Sequence, residues 1–307
     1  MVSMDEPEDL THLVGSARSV ARLPAGERIR HIRADRWIGY PRAVQALERL
    51  ESLYTWPRRQ RMPNLLLVGP TNNGKSMIIE KFRRRHAPVA PVAADDHETI
   101  PVLCVQMPSD PSVPRFYVAL HAALGAPIRP GRRVAELEQL ALGMLRATGV
   151  RMLVIDELHN VLAGRDSARR EFLNVLRYLG NELQIPLIGV GTREAYLAIR
   201  SDDQLENRFA PMLLPPWEAG DDTRSLLASF AASFPLRRPS HLAGEDMAGY
   251  LLARSEGTIG ELALLLTEAA VAAVESGEEA INRRTLTMAG YTGPTERRRQ
   301  FEREIAG

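Results

Sequence analysis

The chain has 307 residues, 45% hydrophobic and 25% charged, which is enough for one large α/β domain with a smaller companion and is ordinary for a soluble globular protein. Its formal net charge of +1 speaks against a surface coated in positive potential, and its single cysteine, Cys104, excludes an internal disulfide. No stretch approaches the roughly 18 apolar residues of a membrane span; the richest, Leu262 to Val274, is interrupted by Thr267 and Glu268. The acidic opening, Met1 to Leu10, does not fit a secretory signal, so a cytoplasmic protein without membrane association is expected.

Residues 1–60 carry no strand signal, but Ala43, Val44, Leu47, Leu50 and Leu53 recur at helical spacing across Pro41 to Tyr54, which predicts an N-terminal helical extension. Trp37, Tyr40 and Trp56 read as its packing anchors. From Asn64 the pattern alternates: strand 65–68, helix 75–85, a Pro- and Ala-rich loop 87–100, strand 101–106, helix 114–124, a basic turn 127–133, helix 134–147, strand 151–155, helix 168–183 and strand 186–190. This succession predicts a parallel sheet covered by helices on both sides, with Cys104 as inert core. The segment Arg84 to Ile100 has no periodicity and reads as a mobile insertion. Pro215-Pro216 marks a boundary, and the pattern after Asp221 is almost wholly helical. The expected division is an extension over 1–60, an α/β core over 61–217, a helical lid over 218–292 and a charged tail over 293–307.

Two of the 39 basic residues are lysine, and one of them, Lys75, closes Gly69-Pro70-Thr71-Asn72-Asn73-Gly74-Lys75-Ser76, a complete GxxxxGKS phosphate-binding loop. The buried-strand run Leu65-Leu66-Leu67-Val68 precedes it and a helix follows, which is the context the motif requires. Gly69 and Gly74 let the backbone approach a polyphosphate, so that successive N–H groups, together with the positive end of the helix, point at the β-phosphate. The nucleotide-contacting set is therefore Gly69 through Ser76 with Met77. Lys75 is expected to bridge β- and γ-phosphates of ATP, and Ser76 to ligate the accompanying Mg²⁺.

A second motif follows the strand Arg151-Met152-Leu153-Val154-Ile155, which ends in Asp156-Glu157. Asp156 can reach the Mg²⁺ shell, and Glu157 can polarise a water for in-line attack on the γ-phosphate. The separation of the two motifs leaves room for a strand inserted between the motif strands. The extra carboxylate favours hydrolysis over phosphoryl transfer to a metabolite. His159 and Asn160, just beyond, read as supporting or capping groups. Thr192, ending the strand Ile185 to Gly191, can hydrogen-bond the attacking water or the γ-phosphate. Arg208, in Gln204-Leu205-Glu206-Asn207-Arg208-Phe209, could stabilise transition-state charge on a neighbouring subunit's nucleotide; the sequence is equally consistent with a surface ion pair. Arginines also bunch at Arg58-Arg59-Gln60-Arg61, Arg83-Arg84-Arg85, Arg129 with Arg132-Arg133, and Arg297-Arg298-Arg299, patches that can hold nucleic acid or serve only as a solvated surface.

The order of these motifs resembles the AAA+ ATPases of the initiator-like branch, and within it the transposition regulator TniB and its relative TnsC. The resemblance runs from Ile32 to Pro41, through the phosphate loop, the stretch Leu153 to Asn160 and Gly189-Val190-Gly191-Thr192, to Asn207-Arg208-Phe209. It implies a parallel five-stranded sheet between helices with a small helical lid. It also implies Thr192 as the sensor-one residue and Arg208 as an arginine finger acting in trans. The family implies ATP-dependent filaments or rings on double-stranded DNA with little sequence preference. It further implies recruitment of a TniA-like transposase and a TniQ-like adaptor, and disassembly on hydrolysis. DNA contact is implied from Gln106 to Ser112 and from the turn holding Arg129, Arg132 and Arg133, through phosphates. Where many initiator-like ATPases carry a basic sensor-two residue, this chain has Glu261, so weak intrinsic hydrolysis is expected. The alternatives on the same motifs are a helicase loader or replication initiator, and a nucleotide-driven assembly switch that never touches DNA.

Overall fold

Five short parallel strands organise the middle of the chain in the computed structural model, which describes residues 9–90, 98–126, 128 and 131–306. In chain order, α1 (Gly15–Ala21) and α2 (Ala25–Arg33) come first, and α3 (Pro41–Tyr54) leads into β1 (Asn64–Val68). Then follow α4 (Lys75–Arg85), β2 (Val102–Gln106), α5 (Val113–Ala123), α6 (Val134–Ala147) and β3 (Met152–Asp156). A 3-10 turn (Leu158–Ala163), α7 (Asp166–Leu183), β4 (Leu187–Gly191), α8 (Arg193–Arg200), α9 (Asp203–Glu206) and β5 (Phe209–Leu213) complete this part. Five helices close the chain: α10 (Asp221–Ser233), α11 (Glu245–Ser255), α12 (Ile259–Glu275), α13 (Arg283–Met288) and α14 (Pro294–Ala306). Of the insertion expected over residues 84–100, residues 91–97 lie outside the described residues; Arg84 and Arg85 end α4, and Val89 and Thr99 pair as an antiparallel bridge.

The contacts divide the chain into two units. The larger, Arg42–Pro215, holds the sheet, in the order β2-β3-β4-β1-β5 with every pairing parallel. A strand does lie between the two motif strands, and it is β4, from downstream; β2, encoded between them, goes to the sheet's edge. β1 and β4 are buried at every position, as strands covered on both faces must be. β5 has a different character: its Ala210, Pro211 and Leu213 are partly or fully exposed, and Pro211 lacks the N–H a central strand would need, so the strand is confined to the edge. On the helix side, Phe116 meets Phe172 edge to face at 5.0 Å, joining α5 to α7 over the sheet.

The second unit comprises the described chain up to Pro41 together with Pro216 onward. Its central helix is α12, with Leu262, Leu265, Leu266, Ala269, Ala270 and Ala273 buried. The most apolar stretch of the sequence is thus the core of this unit, and no single helix among the described residues is long and apolar enough to cross a membrane. α2 packs against α12, and Arg28 on α2 is buried at 2% exposure with a bidentate partner in Glu279, beyond the end of α12. Tyr40 packs edge-on against Trp217 at 5.0 Å. Between α11 and α12 the chain turns through Glu256 and Gly257, both at positive φ, and a Cβ at position 257 would come within 2.7 Å of the Trp217 carbonyl oxygen.

Candidate nucleotide site

Where β1 ends, the chain leaves the sheet at Gly69, whose N–H donates to the Gly191 carbonyl at 3.1 Å and so sets the loop beside the end of β4. A Cβ here would stand 2.7 Å from the Leu214 carbonyl oxygen, so the exit requires glycine. Asn72 (φ 59°) and Gly74 (φ 81°) take left-handed conformations, folding the loop into a concavity in which successive N–H groups can converge. Asparagine tolerates that region better than most side chains. Gly74 is the N-cap of α4 and offers no side chain to its first amides, leaving them for a ligand. Asn73, buried, donates from Nδ2 to the carbonyls of Leu214 (3.0 Å) and Pro215 (2.9 Å), fixing the loop to the segment after β5.

Lys75 is also buried, and its ammonium donates to the carbonyls of Gly69 (2.9 Å) and Pro70 (2.6 Å). Burial holds its pKa below the usual lysine value, while the Glu157 and Asp156 carboxylates pull the other way. Ser76 and Met77 are exposed on the first turn of α4, with Pro70 and Thr71 on the loop's outer rim. The Ser76 hydroxyl donates to Asp156 Oδ2 at 3.0 Å, joining the two motifs across 80 residues of sequence.

Asp156 ends β3, and its other oxygen, Oδ1, accepts the Glu157 N–H at 2.8 Å. Glu157 sits at φ 55°, the left-handed region that non-glycine residues seldom enter. This turn sends the chain directly into the 3-10 helix, and the Glu157 carboxylate meets His159 Nε2 at 3.2 Å. The other ring nitrogen, His159 Nδ1, is buried and makes no hydrogen bond among the described residues. It lies against Gly191, where a Cβ would be 3.3 Å away. Asn160 donates to the Met107 carbonyl at 3.1 Å and ties this turn to the loop after β2.

Lys75, Ser76, Asp156 and Glu157 therefore converge at the carboxyl ends of β1 and β3, on either side of β4, the place where open parallel sheets hold ligands. Thr192 follows the last residue of β4 at the same end and caps α8; its hydroxyl donates to the Glu194 carboxylate, which holds Glu194 below the usual carboxylate range. Glu194 carries no signal in sequence, because a carboxylate on a helix's first turn is commonplace; His159 reads there as a supporting or capping group, and the structure gives it Glu157 as its partner.

Arg208 is not brought to this site. It precedes Phe209, whose register partner Asn64 begins β1, whereas the phosphate loop follows Val68, the end of β1. Five residues of strand, roughly 13 Å at the usual rise, separate the two ends. Arg208 donates to Asn181 Oδ1 at 2.9 Å and borders a cleft of about 410 Å³ lined by Arg59, Arg61, Met62, Pro63, Gln204 and Asn207. Burial lowers its pKa, and the charges of Arg61 and Arg177 add to that.

Arg132 and Arg133 are exposed just before α6, with Arg133 at its N-cap and Arg132 4.0 Å from Glu136; Arg129 lies outside the described residues. The segment Gln106 to Ser112 carries no basic side chain, and its Asp110 faces Arg115 at 3.9 Å. Glu261, which the resemblance sets where a basic sensor-two residue is expected, is buried at the start of α12, where it accepts hydrogen bonds from Tyr291 Oη (3.0 Å) and Arg297 Nη2 (2.6 Å). The tail beyond residue 293 is a helix, α14, anchored through Arg297.

The sequence model of the family described as "Bacterial TniB protein" matches residues 28–219. No curated protein matches the chain. Among solved structures, the ORC2 protein of Aeropyrum pernix, in ADPNP and ADP complexes, is similar with a TM-score of 0.59 at 16% identity, covering 85% of this chain and 70% of that one. Cdc6p from Pyrobaculum aerophilum gives 0.55 at 16% identity, covering 84% and 70%. The ORC1 protein of Aeropyrum pernix, in complex with DNA, gives 0.54 at 17% identity, covering 85% and 68%. At these identities the likeness carries the fold, that of AAA+ phosphate-loop NTPases.

Proposed function

Because the chain belongs to the TniB family and is an AAA+ ATPase, we propose that it regulates DNA transposition by assembling on duplex DNA with ATP bound. In this reading it recruits a TniA-like transposase and a TniQ-like adaptor, and hydrolysis takes the assembly apart. The observation that carries the reading is the placement of Arg208 at the end of the sheet opposite the phosphate loop. A cation there cannot reach its own subunit's nucleotide, so it serves the γ-phosphate of a neighbour's, and turnover depends on assembly.

Within one subunit, the loop amides from Gly69 to Gly74 and the Lys75 ammonium hold the triphosphate. Lys75 exchanges its two loop carbonyls for phosphate oxygens. The Ser76 hydroxyl and the Asp156 carboxylate, 3.0 Å apart, are the hard oxygen donors that Mg²⁺ prefers, and the bound ion would neutralise phosphate charge. Glu157 orients the attacking water, with its carboxylate held by His159. Thr192 turns its hydroxyl from Glu194 to the water or the γ-phosphate. Arg129, Arg132 and Arg133 supply charge to the DNA backbone, with little discrimination among sequences. With Glu261 committed to Arg297 and Tyr291, the lid offers no cation at that position, and the isolated subunit hydrolyses slowly.

The test is electron microscopy of the protein on duplex DNA of arbitrary sequence, with ATP or a non-hydrolysable analogue. Nucleotide-dependent filaments or rings are expected, lost in Lys75→Ala and retained with slowed hydrolysis in Arg208→Ala. Assembly with nucleotide but indifferent to DNA would move the reading to a protein-directed switch.

A further inference from the structure

The arginines beside Arg208 form a second constellation that the reading above does not use. Arg59 and Arg61 precede β1, Arg208 precedes β5, and the three line one cleft together with the amide side chains of Gln204 and Asn207. Among the described residues no carboxylate lines it. Neither Arg59 nor Arg61 makes an ion pair or a hydrogen bond among the described residues, although the Arg59 guanidinium lies over the Trp56 ring at 5.3 Å from its centroid. Arg208 has a neutral amide as its hydrogen-bond partner; burial and then the charges of Arg61 and Arg177 lower its pKa, and the Asp202 carboxylate, which also pairs with Arg177 at 3.6 Å, offsets this only in part. One carboxylate shared with Arg177 does not balance three guanidiniums, and gathering the excess like charge costs free energy unless an anion arrives to offset it.

The shape of the site narrows the anion. A double helix presents phosphates spread along a line, which suits a stripe of cations; three guanidiniums around a pit of about 410 Å³ suit a compact polyanion. The subunit's own nucleotide is excluded, because the cleft lies at the amino ends of β1 and β5 and the phosphate loop follows the carboxyl end of β1. The complementary surface is on the molecule itself. Around the phosphate loop, the carboxylates of Glu157 and Asp156 act on the buried Lys75, and a triphosphate adds further negative charge.

We propose that Arg59 and Arg61, with Arg208, form a composite cleft that receives the terminal phosphates of a nucleoside triphosphate held in the phosphate loop of a second copy of this chain. The inference rests on the trans reading of Arg208 and deepens it: the stretch before β1 contributes two further cations, and the acceptor is a cleft rather than one finger. Guanidiniums supply planar paired donors that match phosphate oxygens, and their charge acts where the transition state spreads negative charge over the γ-phosphoryl oxygens.

Subunit mixing tests this. Glu157→Gln subunits keep the cleft and the ATP-holding loop but cannot activate the attacking water, whereas Arg59→Ala/Arg61→Ala subunits keep a working loop and lose the cleft. Each alone is expected to hydrolyse ATP slowly on DNA, the double variant with kcat down roughly tenfold or more, and the mixture to recover a large part of wild-type turnover. Arg61→Lys, which keeps charge and loses the paired donors, is expected to fall between, and thermal unfolding of each variant reports whether it folds. A parallel mixture of Glu157→Gln with Arg208→Ala separates the trans arginine from the composite cleft. Recovery there, with wild-type turnover in the unmixed Arg59→Ala/Arg61→Ala protein, overturns the composite cleft and leaves the trans arginine standing. Failure of both mixtures overturns the trans reading itself. Loss of duplex retention in the double variant, with turnover per assembled subunit unchanged, assigns the cleft to DNA phosphates and likewise overturns the proposal.

Discussion

Glu279→Gln removes one charge of the ion pair that joins α2 to the turn after α12, and it should be among the most damaging single changes outside the nucleotide site. Arg28 is 2% exposed and its partner's side chain 16%; Arg28 Nη1 donates to Glu279 Oε1 at 2.9 Å, Nη2 to the other carboxylate oxygen, and Nε to the Pro235 carbonyl at 3.0 Å. For charge centres about 4 Å apart the pair's attraction is about 4 kcal/mol at an effective dielectric constant near 20. Leaving the guanidinium buried beside a neutral amide should cost about 3 kcal/mol at neutral pH. Burial by itself raises the Glu279 pKa, but the hydrogen bonds from Arg28 and the Arg237 N–H outweigh it, and the net position is below the usual carboxylate value of 4.5. A depressed carboxylate contributes stability that is present above its unfolded-state pKa and lost as pH falls through its folded-state pKa. Urea unfolding of wild type and Glu279→Gln should therefore differ by about 3 kcal/mol at pH 7, with the gap closing as the pH is taken below 4.5. A gap under about 1 kcal/mol at pH 7, or one that persists unchanged into acid, would refute the assignment. The paired replacement Arg28→Met/Glu279→Leu should cost far less than the single change, because no charge is then stranded.

Three further outcomes follow from particular contacts. Gly191→Ala would set a methyl 2.7 Å from Ala195 Cβ and 3.3 Å from His159 Nδ1; it should cost about 1–3 kcal/mol in stability and lower turnover more than fluorescent-nucleotide affinity, and wild-type values of both would sink the packing account. Glu261→Lys restores a basic residue at the lid position but breaks the bonds to Arg297 and Tyr291 and sets two cations together, so chemical denaturation should show a loss of about 2–4 kcal/mol. Faster hydrolysis at unchanged stability would instead show that the position still acts as a sensor. Burial pushes the Cys104 thiol up to about 11, so at pH 8 roughly one in a thousand is thiolate. Alkylation should be slow in the folded chain and quick in urea, and rapid native labelling would contradict the burial of this strand.

Much of the nucleotide site can be read from residue order because its parts are local. The glycines of the loop, the apolar run before it and the acidic pair after Ile155 each state their geometry within a few residues, and the sheet then brings Ser76 to Asp156. β5 is harder to see: with one fully buried residue and a proline in five, Phe209–Leu213 lacks the apolar run that announces β1 or β4. The helices α1 and α2 give little warning that they join the C-terminal helices, since Arg28 looks like a surface residue until its carboxylate partner, 251 positions away, is known. The Arg59–Arg61–Arg208 cleft is illegible for the same reason. An arginine cluster before a strand is ordinary, and only the parallel register of β1 with β5 sets it beside Arg208.

That register also gives the subunit a direction. On the proposed trans reading, with a phosphate loop after the carboxyl end of β1 and Arg208 before the amino end of β5, each copy offers one half of a reaction centre at its head and the other half at its tail. An open row of N subunits then completes N−1 centres, and a closed ring completes N. The terminal loop of a row binds ATP without the cation that hastens its cleavage, so that end holds its nucleotide longest while the opposite end exposes an arginine with nothing to act on. Growth and shrinkage at the two ends should proceed at different rates. Turnover per subunit on duplexes of increasing length would climb as (N−1)/N for a row and stay level for a ring, so a simple rate measurement distinguishes the two geometries.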